Sequence, residues 1–113
     1  MSRIRNLTPH DVVVINEDNS VNRIFESEGV ARAAQTYSEA GEIDGIRIVE
    51  STFGEPVDLP DPQDGVYLIV SMVTAQAAAK HGRVTSDLLL TTLAVRNDKG
   101  QIIGCKALTP YRP

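Results

Sequence analysis

Gly65-Val66-Tyr67-Leu68-Ile69-Val70-Ser71, followed by Met72-Val73-Thr74-Ala75-Gln76-Ala77-Ala78-Ala79-Lys80-His81-Gly82, is the stretch that decides the fold. Val66 to Val70 is a continuous apolar run bounded by Gly65 and Ser71, the pattern of a strand covered on both faces and therefore central in a sheet. Ser71 can cap the turn that begins at Met72 by accepting a hydrogen bond from one of its free amides. Residues 72–81 are rich in helix formers, with Lys80 and His81 at the negative end and Gly82 placed to stop the helix. The expected inward residues are Met72, Val73, Ala77 and one of Ala75 or Ala79, small enough to lie close on a sheet.

Outward from this unit the chain reads as strands. Leu88 to Val95 is a second buried strand interrupted by Thr91 and Thr92. Arg96 to Gln101 forms a tight hairpin, with Gly100 taking the positive φ, and returns through Ile102 to Leu108. On the other side, Pro56, Pro60 and Pro62 make Glu55 to Gly65 a surface loop. Ile46 to Phe53 alternates apolar and polar residues, the pattern of a half-buried strand ended by Gly54. Val30 to Tyr37 has the Ala content of a helix but β-patterned neighbours, and is read as a strand. Thr8-Pro9 opens the run Val12 to Ile15, which pairs with Val21 to Glu26 across the polar turn Asn16 to Ser20. The expected architecture is α+β within one domain, residues 1–113: a β-rich curved sheet or small barrel of six to seven mostly antiparallel strands with one helix at about 72–81. Edge strands in so small a protein lead to the expectation of a homo-oligomer.

Composition narrows the function classes. Among 113 residues 42% are hydrophobic and 23% charged, and only Tyr37, Tyr67, Tyr111, Phe25 and Phe53 are aromatic, so aliphatic packing fills the core. A net charge of −4 and a pI near 5.0 disfavour a nucleic-acid partner. Cys105 is the single cysteine, which excludes an intrachain disulfide and fits an intracellular protein. Met1 to Asn6 is basic but lacks the apolar run of a signal peptide, and no segment approaches the roughly 20 apolar residues of a membrane span.

Candidate chemistry is sparse. His10 and His81 are the only histidines and have no ligand spacing around them, so neither metal nor cofactor is expected. Cys105 lies inside a strand, where cysteine behaves as a small hydrophobe. Ser71 has Val70 and Met72 beside it instead of the glycines of a nucleophile elbow. The richest polar set is Ser71, Arg83, Thr85, Ser86, Asp87 and Arg96, since a capping serine and arginines can hold an anion. Arg83 is about 15 Å from Ser71 along the helix, so the two share a site only through a neighbouring chain. The plainer reading is a surface ion pair, Arg83–Asp87 or Arg96–Asp98.

Asn6-Leu7-Thr8-Pro9-His10-Asp11-Val12-Val13-Val14, Gly29-Val30-Ala31-Arg32, Phe53-Gly54-Glu55, Leu59-Pro60-Asp61-Pro62, Gly65 to Ser71 and Val95 to Cys105 together resemble a family of small uncharacterised proteins of tailed bacteriophages and bacterial genomes. Leu88 to Leu93 departs from that pattern, which often carries a proline there. The resemblance implies a phage or prophage setting, with the chain in the host cytoplasm or the virion. The expected function is non-enzymatic: sequestering a small anionic, even nucleotide-derived, ligand through Arg32, Ser71, Arg83 and Arg96, or occluding a host protein. One alternative is a structural virion subunit such as a capsid decoration protein. Another is a small hydrolase using His10 with Asp11 or Cys105, which requires those groups to face a common pocket.

Overall fold

A computed structural model describes residues 3–113, leaving Met1 and Ser2 of the amino-terminal segment outside it. In chain order the elements are β1 (Arg3–Asn6), β2 (Val12–Ile15), β3 (Val21–Phe25), β4 (Arg32–Ile43), β5 (Ile46–Val57), β6 (Val66–Ile69), α1 (Met72–Lys80), β7 (Leu88–Arg96) and β8 (Ile102–Pro110). The fold is α+β and mostly β, as the patterning predicts. Six strands form one mixed sheet in the order β1-β6-β7-β8-β2-β3, while β4 and β5 form a separate two-stranded ribbon.

The strand–helix–strand unit lies at the heart of this sheet. β6 and β7 are adjacent and parallel, with Leu68 opposite Leu88 and Ile69 opposite Leu89, and α1 makes the crossover between them. Alternation sends successive residues to opposite faces. Leu68, Val70, Leu88 and Leu90 pack with Ala75 and Ala78 of the helix, together with Leu7 and Ala31. Ile69 joins Val12, Phe25 and Cys105, with Leu89 packed against them, in a second cluster. The apolar run of β6 is thus covered on both sides.

Ser71 caps the helix as its position predicts, its hydroxyl accepting from the Thr74 amide at 3.2 Å. Ala77 and Ala75 face inward as expected, but Thr74 and Ala78 complete the buried face in place of Met72, which is half exposed, and Val73, which is only partly buried. Thr74 tolerates full burial because its hydroxyl donates to the Ala31 carbonyl at 3.1 Å. Met72 opens the first turn, at the margin of the sheet.

Strand number and direction also differ from the expected six to seven mostly antiparallel strands. Among the described residues there are eight strands, and three of their six pairings are parallel: β1 with β6, β6 with β7, and β2 with β8. The basic opening segment supplies the extra strand, Arg3 to Asn6 running alongside Val66 to Ile69. β5 continues past Gly54 to Val57, with Pro56 opposite Ala33. A proline is tolerated there because a two-stranded ribbon has an open edge that needs no amide. Nor is β5 half-buried: most of it is exposed, and its inner portion meets the outer side of α1 around Phe53 and Val73.

Candidate functional site

Asn6 shapes the first wall. It is fully buried at the end of β1, and its amide nitrogen donates to the carbonyls of His10 at 2.8 Å and Phe25 at 2.9 Å. Its oxygen accepts from the Thr8 amide and hydroxyl. All four hydrogen-bonding positions of the side chain are used, which locks the Thr8–Asp11 turn in place.

That turn, the start of β2, the Val70–Met72 junction and the middle of β7 and β8 enclose an open groove of about 720 Å³. Its walls are mainly apolar, with Ser71, His10, Asp11 and several threonine hydroxyls set among them. Gly104 lies in the lining, and a β-carbon there would stand 2.8 Å from the Val13 carbonyl. Leu93, between the lining residues Thr92 and Ala94, has φ of 55°. A left-handed conformation costs a bulky residue about 1–2 kcal/mol, so strain is held beside the groove.

Of the four residues expected to hold an anion, only Ser71 lines the groove. Arg32 begins β4, 3.9 Å from Asp58, with both side chains exposed. Arg83, past the other end of α1, makes a bidentate pair with Asp87 at 2.8 and 2.9 Å and also donates to the carbonyls of Val84 and Pro60. This pair is not at the surface: its side chains are 12% and 10% exposed, because the proline-containing loop closes over it. Arg96 donates to the Gly100 carbonyl at 2.7 Å within the β7–β8 hairpin and makes no pair with Asp98 among the described ion pairs.

His10, Asp11 and Cys105 do line one groove. No hydrogen bond joins their side chains among the described residues. Cys105 is buried in the second apolar cluster, and desolvation pushes its thiol above the ordinary range. That is the opposite of the depression that makes a thiolate nucleophile. Among the described residues no cluster of His, Cys, Asp or Glu is arranged to hold a metal ion, and no helix is long and apolar enough to cross a membrane.

Sequence reasoning missed Asn6, the wall formed by Ile102 and Ile103, and the isolation of the β4–β5 ribbon. Only Asn6 had a readable signal: Asn followed two residues later by Thr is the arrangement of an Asx-turn. No family model, curated protein or solved structure matches the chain. Function must therefore be argued from this geometry.

Proposed function

We propose that the chain is a non-enzymatic binding protein of a phage or prophage setting that works by protein–protein contact, either occluding a host protein or joining virion subunits. The observation that carries this reading is the β4–β5 ribbon, two twelve-residue strands pairing only with each other. Tyr37, Ile43, Ile46, Val49 and Phe53 are all exposed on it. A two-stranded ribbon is marginally stable in water, and apolar side chains gathered on one projection mark a contact surface. A photo-crosslinking amino acid in place of Tyr37, used during infection, tests the reading. Discrete adducts identified by mass spectrometry as one host or virion protein support it. Absence of adducts to any protein counts against it.

A second reading, a small anionic ligand at Ser71, is supported by the groove's volume alone, which falls within the roughly 300–1,000 Å³ of ligand pockets; the lining offers Asp11 and no Arg or Lys. Thermal-shift screening against nucleotides and cyclic nucleotides tests that version. A ligand at a hundred times its Kd adds about 2.7 kcal/mol to stability, and no shift with any of them would remove it.

A further inference from the structure

Among the described residues β4 pairs with β5 alone, so its other edge carries no strand, and Ala34 to Ile43 are all exposed. No proline interrupts β4, so every amide on that edge can donate, whereas β5 carries Pro56. An open edge of this kind is a template for a further strand. The chain is also less compact than its length calls for: its radius of gyration is 16.7 Å, against roughly 13 Å for a compact chain of the same length. It exposes 7714 Å², about 1,600 Å² more than the roughly 6,100 Å² that surface scaling gives a 12.3 kDa monomer. A standard interface takes about 800 Å² from each partner, so the surplus is enough for a stable dimer.

The sequence of β4 fits a second copy of itself. Its charged residues are Arg32, Glu39 and Glu42, and Glu39 is already paired with Arg47. Set antiparallel with Tyr37 opposite Tyr37, two β4 strands bring Arg32 of each beside Glu42 of the other, at both ends of the contact. Glu39 then stands opposite Gln35, and no like charges meet. Gln35 to Glu39 is also the regular stretch between the two irregularities in the ribbon's register, and Tyr37 is its centre. Tyr37 shares a face with Val49 and Phe53, which flank its opposite number Ser51, and all three are exposed.

We propose that two copies of the chain join edge to edge through β4, antiparallel and centred on Tyr37, making one four-stranded sheet in the order β5-β4-β4-β5. This rests on the protein-contact reading and names a second copy as the partner. The contact is two-fold symmetric and uses the one free edge of each β4, so it closes at two chains. The edges left outermost belong to β5, where Pro56 lacks the amide that a further strand would need. The Arg32–Glu42 contacts at the two ends fix the register.

The test uses the full chain. Arg32→Glu and Glu42→Arg, made separately, each place like charges at both ends of the contact, and each should weaken self-association about tenfold or more by analytical ultracentrifugation. An equimolar mixture of the two variants restores opposite charges at both ends and should associate within about threefold of the parent chain. Damage inside one chain, such as loss of the Arg32–Asp58 contact, is not cured by mixing. In a Cys105→Ala background, oxidation should link Tyr37→Cys chains to one another fastest, because Tyr37 alone meets itself across the two-fold axis. Thr36→Cys and Ser38→Cys should each link slowly alone and quickly when mixed, since Thr36 stands opposite Ser38 of the second copy. Every substituted position on β4 is exposed, and unchanged circular dichroism confirms that each variant folds. A chain that stays monomeric at hundreds of micromolar, charge variants that mixing does not rescue, or fastest self-linking at Thr36 or Ser38 overturns the proposal. Each of these results leaves the broader reading to the photo-crosslinking at Tyr37, since adducts to a host or virion protein need no second copy.

Discussion

Ile15 lies directly over Gly104: a β-carbon at position 104 would fall 2.5 Å from the Ile15 Cδ1 atom and 2.8 Å from the Val13 carbonyl oxygen. The side-chain tip can swing away, but the carbonyl belongs to β2 and cannot. Gly104→Ala should therefore destabilise the protein by about 2–3 kcal/mol, within the range for overpacking. Ile15→Val in the same chain should recover little of that loss, because the backbone clash persists. Urea denaturation of the single and double variants checks both expectations.

The Arg83–Asp87 pair is enclosed, so removing one partner strands the other. Arg83→Ala should cost about 3–5 kcal/mol, the range for an uncompensated buried charge. Arg83→Met combined with Asp87→Leu should be considerably milder than either change alone. A double-mutant cycle by chemical denaturation measures the coupling, and additive losses would show the pair to be solvated.

Asn6→Ala leaves the buried Phe25 carbonyl without its donor and frees the Thr8 turn. A loss of about 2–3 kcal/mol is expected for abandoned buried groups. Hydrogen exchange adds a sharper readout: the Thr8 amide, bonded to the Asn6 oxygen at 2.9 Å, should lose protection while amides within β7 keep theirs relative to global stability.

Burial raises the Cys105 thiol above its ordinary range. The folded chain therefore holds this proton more tightly than the unfolded chain. The associated stability is fully present below the unfolded thiol's pKa and is lost as pH rises through the folded value. Maleimide labelling at neutral pH should be slow until denaturant is added, and Cys105→Ala should flatten the alkaline decline in stability. Rapid labelling of the native protein would contradict the burial.

Leu93 holds a positive φ while most of its side chain is in water. Leu93→Gly should stabilise the fold, or leave it unchanged within about 0.5 kcal/mol, since the relieved left-handed strain offsets the added chain entropy. Glycine inside an ordinary strand has the reverse effect. Thermal unfolding distinguishes the two.

Much of the fold is legible along the chain because its signals are local. The capping serine, the alanine-rich helix, the positive φ of Gly100 and the two-faced burial of β6 each follow from neighbouring residues. What escaped depends on distant partners. Arg3 to Asn6 has no strong pattern and becomes a strand only because β6 offers a free edge. Ile46 to Phe53 alternates as a half-buried strand does, yet the face that should meet a core meets mainly solvent. The same limit applies to the site. Ser71 could be placed at a strand–helix junction, but the partners that enclose Arg83, and the strands that bring Ile102 and His10 to one groove, come together only in three dimensions.

β8 lies between β7 and β2 in the sheet, and it follows every other described strand in the chain. As the polypeptide leaves the ribosome, β2 and β3 can form their hairpin and β4 and β5 their ribbon, but the facing edges of β7 and β2 stay open until Ile102–Pro110 emerges, and before then the halves β1-β6-β7 and β2-β3 are tied through Asn6, by its bridge to Ser27 and its side-chain bond to the Phe25 carbonyl. Pairing over such sequence separation is slow, and until it occurs both halves present bare edges open to aggregation. A stop codon just before Ile102 would thus leave β7 and β2 each with an unpaired edge, the sheet lacking the strand that lies between them.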